Sequence, residues 1–293
     1  MHILVMCLTM KANNEMGRLK LLMRKIMDRV LYYIKVMKVR IRMRNEKALE
    51  RAVRKICTSG EWHKSKEGFH ANGKRKKVDG EAGRILEKLL GIPENNKQSA
   101  DIVLGNGVRV EIKTNKSPKT KITLGCKAPI RIKKQKDTII AHGKEEPNVA
   151  RRLNATLKVG GGPSRTLVAE CKGSGSGKTI DVSDSETGNK EFYWVVADVV
   201  KKFTNKIPNV LHVKAIKRKV GEREEYKFVS STYYSKFNPH LFEKQLTEDG
   251  KIVIEPREKI DYTNNNRIRD RGTAFRTDEG NINEMFNKSV TWC

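Results

Sequence analysis

Apolar residues recur at helical spacing in several parts of the chain. The first predicted helix covers residues 45–59, and its apolar positions are Ala48, Leu49, Ala52, Val53 and Ile56. A second helix is predicted over Glu81–Leu90, where one side is apolar and Gly91-Ile92-Pro93 follows as a stop signal. The same periodicity predicts helices over residues 192–203 and 240–246.

Other apolar runs have the spacing or composition of strands. Two short strands are predicted on either side of Gly105-Asn106-Gly107, and residues 133–188, which are rich in Gly, Lys and Ser, are expected to hold long hairpins or flexible loops. Further strands are predicted at Thr166–Cys171, Val210–Lys217, Tyr226–Val229 and Lys251–Ile254. Helices and strands mixed along one chain indicate an α/β fold of the mixed α+β kind.

The stretch from Asp101 to Lys113 assigns its residues to two faces of a hairpin. If the chain reverses through a three-residue loop at 105–107, Asp101 lies directly opposite Glu111 on the neighbouring strand. A two-residue Asn-Gly turn would instead pair Asp101 with Ile112 and mix the faces, so the hydrophobic pattern favours the longer loop. One face then carries the apolar residues Ile102, Leu104, Val108, Val110 and Ile112. The other face carries Asp101, Arg109, Glu111 and Lys113.

Two opposed carboxylates at this hairpin indicate a metal site. Asp101 and Glu111 repel each other unless a cation lies between them, and oxygen ligands favour Mg²⁺, with Mn²⁺ as a substitute. Lys113 projects beside the same position, where it could orient an attacking water and offset negative charge in a transition state. The alternative is an exposed hairpin whose acids form salt bridges, a common arrangement for Glu-x-Lys in a strand.

The charge of the chain points to a polyanionic partner. Its 61 Lys and Arg residues against 34 Asp and Glu residues leave a net charge of +27. Nucleic acid is the first expectation and an anionic membrane the second. No apolar stretch is long enough to span a bilayer, and Met1–Met10 lacks the features of a signal peptide. Five widely separated cysteines without a Cys-x-x-Cys pair fit a reducing cytoplasm. We therefore expect a cytoplasmic protein without a membrane partner.

Residues 1–43 differ from the rest of the chain. They hold eight of the nine methionines, ten basic residues and two acidic ones. This clustering predicts a basic, methionine-rich extension outside the fold, disordered or not native, followed by one folded domain over residues 44–293. The alternative is a basic amphipathic helix over Leu19–Arg44 that contacts DNA or a membrane.

Glu87 adds a third acid to the candidate site. It lies well off the apolar side of the second predicted helix, so it can face a ligand. An acid on a helix, followed by an Asp101…Glu111-x-Lys113 hairpin, resembles the PD-(D/E)xK nuclease superfamily. In that superfamily the helix acid assists the site that the hairpin forms.

The resemblance becomes more specific over roughly residues 45–290, which are similar to the MvaI/BcnI family of type II restriction endonucleases. Four stretches carry it: Gly60–Lys66, Gly83–Leu90, the Asp101–Thr114 hairpin and Arg269–Arg276. The resemblance implies a monomeric, Mg²⁺-dependent enzyme that cuts both strands of DNA at a short G·C-flanked site, one strand at a time. It also implies a restriction-endonuclease-like core, with a catalytic lobe mainly over 44–135 and a second lobe within 136–293 that closes a DNA cleft.

The family also implies roles for individual residues of this chain. Asp101, Glu111 and Lys113 match its catalytic trio, with Asp101 and Glu111 as metal ligands, and Glu87 matches its helix acid. Glu255, Arg257, Asp270 and Arg276 match positions that read base edges in the major groove. Arg can bond guanine O6 and N7, and an acid can accept from cytosine N4.

Arg269 and Arg271 depart from the family pattern, because they flank Asp270 where histidine is expected. They are counted among the candidate DNA-binding residues. The segment Arg269–Arg276 has an alternative interpretation as a basic turn that contacts phosphates only.

Two rival functions remain open at this point. A nickase similar to the mismatch-repair protein MutH, a more distant relative, would cut one strand and need a partner protein. A catalytically inactive DNA-binding protein would need only the basic surface. A restriction enzyme implies instead a cognate DNA methyltransferase in the host and a prokaryotic or viral source.

Overall fold

The computed structural model describes residues 23–24, 26–28, 44–65, 80–92, 100–116, 120–221 and 223–293. The predicted extension over residues 1–43, and the helix considered over Leu19–Arg44, lie almost wholly outside the described residues. In the part of the chain that is described, no helix is long and apolar enough to cross a membrane.

Helices form where the hydrophobic period predicts them, with one exception. The predicted helices over 45–59, 81–90 and 240–246 are confirmed, and the side chain of Asn45 caps the first by accepting a 3.0 Å hydrogen bond from the Ala48 amide. From Arg44 onwards, the α-helices of the described residues are α1 (Glu46–Thr58), α2 (Glu81–Leu89), α3 (Gln135–His142), α4 (Val196–Lys206), α5 (Pro239–Thr247) and α6 (Glu279–Ile282).

The exception is the helix predicted over residues 192–203, which is wrong in its first part. Residues up to Val195 form a strand, and α4 begins only at Val196. Phe192 and Trp194 are aromatic and lie two residues apart, so both can bury on one face of a sheet. The helical period resumes within α4, whose buried residues are Val196, Val199 and Phe203.

Strands account for much of the remaining chain. All the predicted strands are confirmed, although the one predicted at Tyr226–Val229 is part of a much longer strand. Of the long hairpins or flexible loops expected over 133–188, the structure has hairpins, at residues 144–154 and 167–184, together with α3. In chain order the strands of the described residues are β1 (His63–Lys64), β2 (Ile102–Val103), β3 (Arg109–Asn115), β4 (Ile122–Cys126), β5 (Ile130–Arg131), β6 (Lys144–Glu146), β7 (Ala150–Asn154), β8 (Leu167–Lys172), β9 (Thr179–Asp184), β10 (Lys190–Val195), β11 (Asn209–Val220), β12 (Arg223–Phe237), β13 (Ile252–Glu255), β14 (Arg257–Asp261), β15 (Arg267–Asp270), β16 (Ala274–Thr277) and β17 (Phe286–Thr291).

The sheet that contains the β2–β3 hairpin has the strand order β1-β12-β11-β3-β2, with β17 paired to β12. β3 and β11 are parallel, and the other pairs are antiparallel. Its strands come from residues 63–115, 209–237 and 286–291, so a division of the chain near residue 135 does not follow this sheet. Distant parts of the sequence therefore support the hairpin.

Two hydrophobic clusters hold the molecule together. The first joins α1 and α2 to the hairpin sheet, with Leu49, Leu86 and Ile112 among its members. The second lies among three smaller sheets, of order β5-β10-β9-β8, β13-β16-β4 and β15-β14-β7-β6, and it includes the buried side of α4. Val210 of β11 belongs to the second cluster and Leu211 to the first. The hairpin sheet therefore lies between them.

Candidate active site

The β2–β3 hairpin has the register that its hydrophobic pattern predicts. Ile102 pairs with Val110, and the chain reverses through residues 105–107. This is the three-residue loop, and Gly107 supplies the positive φ of 83° that such a turn requires. Continuing the register by one residue sets Asp101 directly opposite Glu111.

The two faces of the hairpin are also as predicted. On the apolar face Val108 is partly buried, and the buried residues are Ile102, Leu104, Val110 and Ile112. The opposite face carries Asp101, Arg109, Glu111 and Lys113. Of these four, Glu111 is buried and Arg109 is exposed. The acids therefore lie at a site that is largely shielded from water.

Asp101 is held by the backbone of the facing strand. Its Oδ2 accepts a 2.8 Å hydrogen bond from the Ile112 amide, which fixes the carboxylate at the edge of β3. Burial raises the pKa of Asp101 to about 6, and the nearby charge of Glu111 adds to this shift. The hydrogen bond from Ile112 and the ammonium groups of Lys206 and Lys113 oppose the rise without cancelling it.

Glu111 is bound by two lysines. Its Oε1 lies 2.7 Å from Nζ of Lys113, which also donates a hydrogen bond to it. Its Oε2 lies 2.8 Å from Nζ of Lys206, the last residue of α4. Sequence reasoning missed Lys206, because it is one of many lysines and lies 95 positions after Glu111. No local pattern marks it.

The two carboxylates are suited to a divalent cation. Glu111 Oε2 is buried and accepts no hydrogen bond from the residues that the structure describes, so the ion pair with Lys206 is its main compensation. Within those residues no group of three or more His, Cys, Asp or Glu side chains could hold a metal ion. The candidate ligand set is thus the pair Asp101 and Glu111. Such a pair fits Mg²⁺, which is usually bound through one or two carboxylates together with phosphates of the substrate.

Glu87 is half-buried on α2, one turn after Gly83. A Cβ atom at Gly83 would lie 3.5 Å from Oγ1 of Thr114 and 4.0 Å from Oε1 of Glu87, so this side of α2 faces β3. Strand alternation puts Thr114 on the face opposite to Glu111 and Lys113. Glu87 therefore lies next to β3 on the side that the helix covers, and its role as the assisting acid stays a prediction.

Two of the candidate base-reading residues form an ion pair. Nη1 of Arg276 on β16 lies 2.8 Å from Oε2 of Glu255 at the end of β13. Nη2 of Arg276 also donates a 3.0 Å hydrogen bond to the carbonyl of Lys121. The guanidinium is thus held in a defined orientation while remaining partly exposed. A fixed, planar donor fork is what bidentate recognition of a guanine requires.

Arg257 and Asp270 shape the turn that follows β15. Arg257 donates hydrogen bonds of 3.2 Å to the carbonyls of Arg271 and Gly272. Asp270 Oδ1 accepts a 2.6 Å hydrogen bond from the Gly272 amide. Gly272 has a φ of 76°, which glycine adopts without strain. In the described structure Arg257 thus supports the turn from within, whereas Asp270 lies on its exposed side.

Arg269 and Arg271 are exposed, and Arg269 Nε lies 3.2 Å from Oδ2 of Asp261. Together with Arg257 and Asp270 they border a cavity of about 660 Å³. The other residues that line it are Arg152, Asn154, Glu258, Lys259, Arg267 and Ile268. The structure therefore brings four of the six candidate DNA-binding residues to one strongly basic cavity and pairs the other two on a neighbouring sheet.

Glu279 connects the Arg276 segment to β3. Its Oε2 accepts a 3.0 Å hydrogen bond from Asn115, the last residue of β3, and its Oε1 lies 2.6 Å from Nζ of Lys214. Arg276 is only three residues before Glu279, so the candidate recognition and catalytic groups are attached to the same strand end. Nothing in the sequence around Glu279 marks this contact.

Comparison with known proteins identifies the family and the fold of the chain. The sequence matches the MvaI/BcnI restriction endonuclease family over residues 58–286, and no curated protein matches the chain. The fold is similar to a solved complex of restriction endonuclease MvaI with its cognate DNA, with a TM-score of 0.64, 19% identity, and 84% of this chain and 98% of that chain covered. A structure of MvaI in the absence of DNA has a TM-score of 0.45 and 18% identity, with 84% of this chain and 96% of that chain covered. The expected restriction-endonuclease-like fold is thus confirmed, and the chain belongs to the MvaI/BcnI restriction endonuclease family.

Proposed function

We propose that this chain is a type II site-specific endonuclease that hydrolyses both strands of duplex DNA with Mg²⁺. A member of a restriction endonuclease family is a DNA-cleaving hydrolase. The observation that carries the finer proposal is the hairpin site, where Asp101 and Glu111 lie opposite each other and Lys113 contacts Glu111.

Asp101 and Glu111 would hold the cation, and Mn²⁺ could replace Mg²⁺ because both ions accept oxygen ligands. The divalent ion, when bound, supplies Lewis-acid activation of a phosphoryl oxygen and of the attacking water. Burial and the neighbouring charge of Glu111 raise the pKa of Asp101, so a cation held between the two carboxylates would offset their mutual repulsion.

Lys113 would act on the water and the phosphate. Its ammonium group carries three donors, one of which bonds Glu111 at 2.7 Å. The remaining donors can orient a water molecule for attack and neutralise charge that develops on the phosphoryl oxygens. Glu87 would support this site from α2, in the role that the family pattern suggests.

DNA recognition would use the second group of residues. The net charge of +27 favours binding to the phosphate backbone. The likeness to MvaI, which was solved with cognate DNA, supports double-stranded DNA as the partner. Arg257 and Arg276 would read guanines, and Glu255 and Asp270 would accept from cytosines, which predicts a short G·C-flanked site.

We further propose that the enzyme acts as a monomer. One chain carries one hairpin site, so it would cut the two strands one after the other. An enzyme of this kind would also cut the genome of its host, so a cognate methyltransferase that protects the host site is the expected partner. Both would work in the cytoplasm of a prokaryotic host, or of a host that a virus has infected.

A plasmid time course with Mg²⁺ tests the proposal. We expect nicked circles first and then linear fragments with defined ends. Nicked circles alone would indicate a MutH-like nickase, and intact plasmid would indicate a DNA-binding protein without activity.

Two protein variants in the same assay test whether the hairpin is the active site. Glu111→Gln should abolish cleavage while DNA binding in Ca²⁺ persists, because it removes a candidate metal ligand and keeps the basic surface. Glu170→Gln is the matched control, since Glu170 lies exposed on β8 and pairs only with Lys172 among the contacts described. Cleavage by Glu111→Gln at the wild-type rate would contradict the assignment.

A further inference from the structure

Lys206 occupies the side of Glu111 that Lys113 leaves open. Its Nζ lies 2.8 Å from Oε2, and the side chains of Lys206 and Glu111 are 17% and 4% exposed. An ion pair with so little solvent contact is screened much less than a surface pair. The contact therefore affects what else can bind Glu111.

The chain connection holds Lys206 at this position. Phe203 is buried in the second hydrophobic cluster, which fixes the last turn of α4. Only three residues separate Lys206 from Val210, and Val210 pairs with Glu111 in the parallel β3–β11 ladder. The side chain of Asn209 adds a 2.8 Å hydrogen bond to the Arg109 carbonyl. The Lys206 backbone thus cannot move far from Glu111 without breaking these contacts.

The charges of the site balance in this state. Asp101 and Glu111 carry two negative charges when ionised, and Lys113 and Lys206 carry two positive ones. A divalent cation added to this neutral group would be repelled by an ammonium that contacts one of its ligands. A DNA phosphate that arrives with the cation carries one negative charge and would offset half of the charge that the cation adds.

On the basis of the proposed function, we infer that the ammonium of Lys206 stays paired with Oε2 of Glu111 until DNA arrives. Before DNA binds, Lys206 compensates Glu111 and lowers the affinity of the site for a divalent cation. With DNA bound, its ammonium moves to the scissile phosphate and releases Oε2 to the cation. Cation and DNA then bind cooperatively, because each favours the state in which the ion pair between Lys206 and Glu111 is broken.

Two further lysines near Lys206 form a small strip of positive charge that can bind the phosphate. Lys202 lies one turn earlier on α4, and burial lowers its pKa, with further contributions from Lys127 and Lys206. Lys127 and Lys206 each act on Lys202, and ammonium groups grouped in this way favour an anion beside them. A phosphate that enters at this strip would lie next to the carboxylates.

Binding of Mn²⁺ to the DNA-free protein tests the inference. The concentration of free Mn²⁺ can be followed by electron paramagnetic resonance. Lys206→Gln should bind Mn²⁺ about tenfold more tightly than wild type, because the competing charge is gone. Lys206→Arg keeps the charge and should stay close to wild type. Lys201→Gln removes the same charge from an exposed position on the same helix and should also leave the affinity unchanged.

Thermal melts in EDTA and in Mn²⁺ provide the second measurement. Lys206→Gln should melt lower than wild type in EDTA and gain more from Mn²⁺, since Glu111 loses one partner and accepts the cation in its place. Lys206→Met serves as the replacement if the glutamine variant does not fold.

Two outcomes separate this inference from the proposed function. If Glu111→Gln binds Mn²⁺ as wild type does, the metal site itself is wrong. If Glu111→Gln loses binding but Lys206→Gln and Lys206→Met bind no more tightly than wild type, the role of Lys206 is wrong and the metal site stands. A gain in the Lys201→Gln control as large as in Lys206→Gln would also overturn the role, because it would show an effect of overall charge.

Discussion

Replacing Asp101 with asparagine should stabilise the metal-free protein at neutral pH. The pKa of Asp101 is raised from 3.8 to about 6 in the folded protein, first by burial and then by the charge of Glu111. The folded state therefore binds a proton more tightly than the unfolded chain does. Stability contributed by the protonated form is present below about pH 4 and is lost as the pH rises to about 6.

The size of this effect follows from the shift. One pKa unit corresponds to about 1.4 kcal/mol, so a rise of about two units costs about 3 kcal/mol above pH 6. Asparagine keeps an oxygen that can accept from the Ile112 amide and carries no charge toward Glu111. We expect Asp101→Asn to be more stable than wild type by about 2 kcal/mol at pH 7.5, once partial solvent screening is allowed for. That corresponds to a melting temperature higher by roughly 5 °C.

Thermal melts in EDTA between pH 4 and pH 8 measure the difference. The advantage of Asp101→Asn should shrink as the pH falls below 6 and should be small at pH 4, where the folded side chain is protonated and the unfolded one is about half protonated. Asp249→Asn, at an exposed position after α5, is the control for a change of charge alone. A variant less stable than wild type at pH 7.5, or an advantage that does not change with pH, would refute the reasoning.

Three further predictions follow from packing, recognition and chain organisation. Gly125→Ala should lower the free energy of unfolding in urea by about 1–3 kcal/mol, because the new Cβ would lie 2.9 Å from Cε1 of buried Phe203. Gly162→Ala is the control, because its Cβ would meet no atom within 4 Å and should change the free energy of unfolding little. Arg276→Ala should cost about 1–3 kcal/mol of binding at the cognate site and little on random duplex, and equal losses on both would show a phosphate contact instead. Deletion of residues 1–43 should leave cleavage nearly unchanged, and loss of a cooperative melt would contradict this.

The hairpin could be predicted in detail because its alternation is strict. Five apolar residues at positions 102, 104, 108, 110 and 112 admit a single register that buries them all, and that register alone places Asp101 opposite Glu111. The helix predicted over residues 192–203 is wrong in its first part because the pattern within that segment does not determine its structure. Phe192 and Trp194 fit a helical pattern with later residues, but their pairing with β9 determines the strand. That pairing depends on residues that periodicity within one segment does not reveal.

Contacts between distant parts of the chain could not be predicted. Lys206 reaches Glu111 because β11 pairs in parallel with β3, and parallel pairing between segments so far apart leaves no local sequence signal. The same holds for Glu279, which contacts Asn115 across 164 positions. The catalytic residues proposed from the motif therefore lie in a setting of charges that only the tertiary structure supplies.

Sequencing the ends released from genomic DNA tests the central claim most directly. Wild-type protein with Mg²⁺ should release ends that all map to one short sequence, and Glu111→Gln should release none above background. Ends at unrelated positions, or the same ends from Glu111→Gln as from wild type, would contradict a site-specific endonuclease whose active site is the hairpin of Asp101, Glu111 and Lys113.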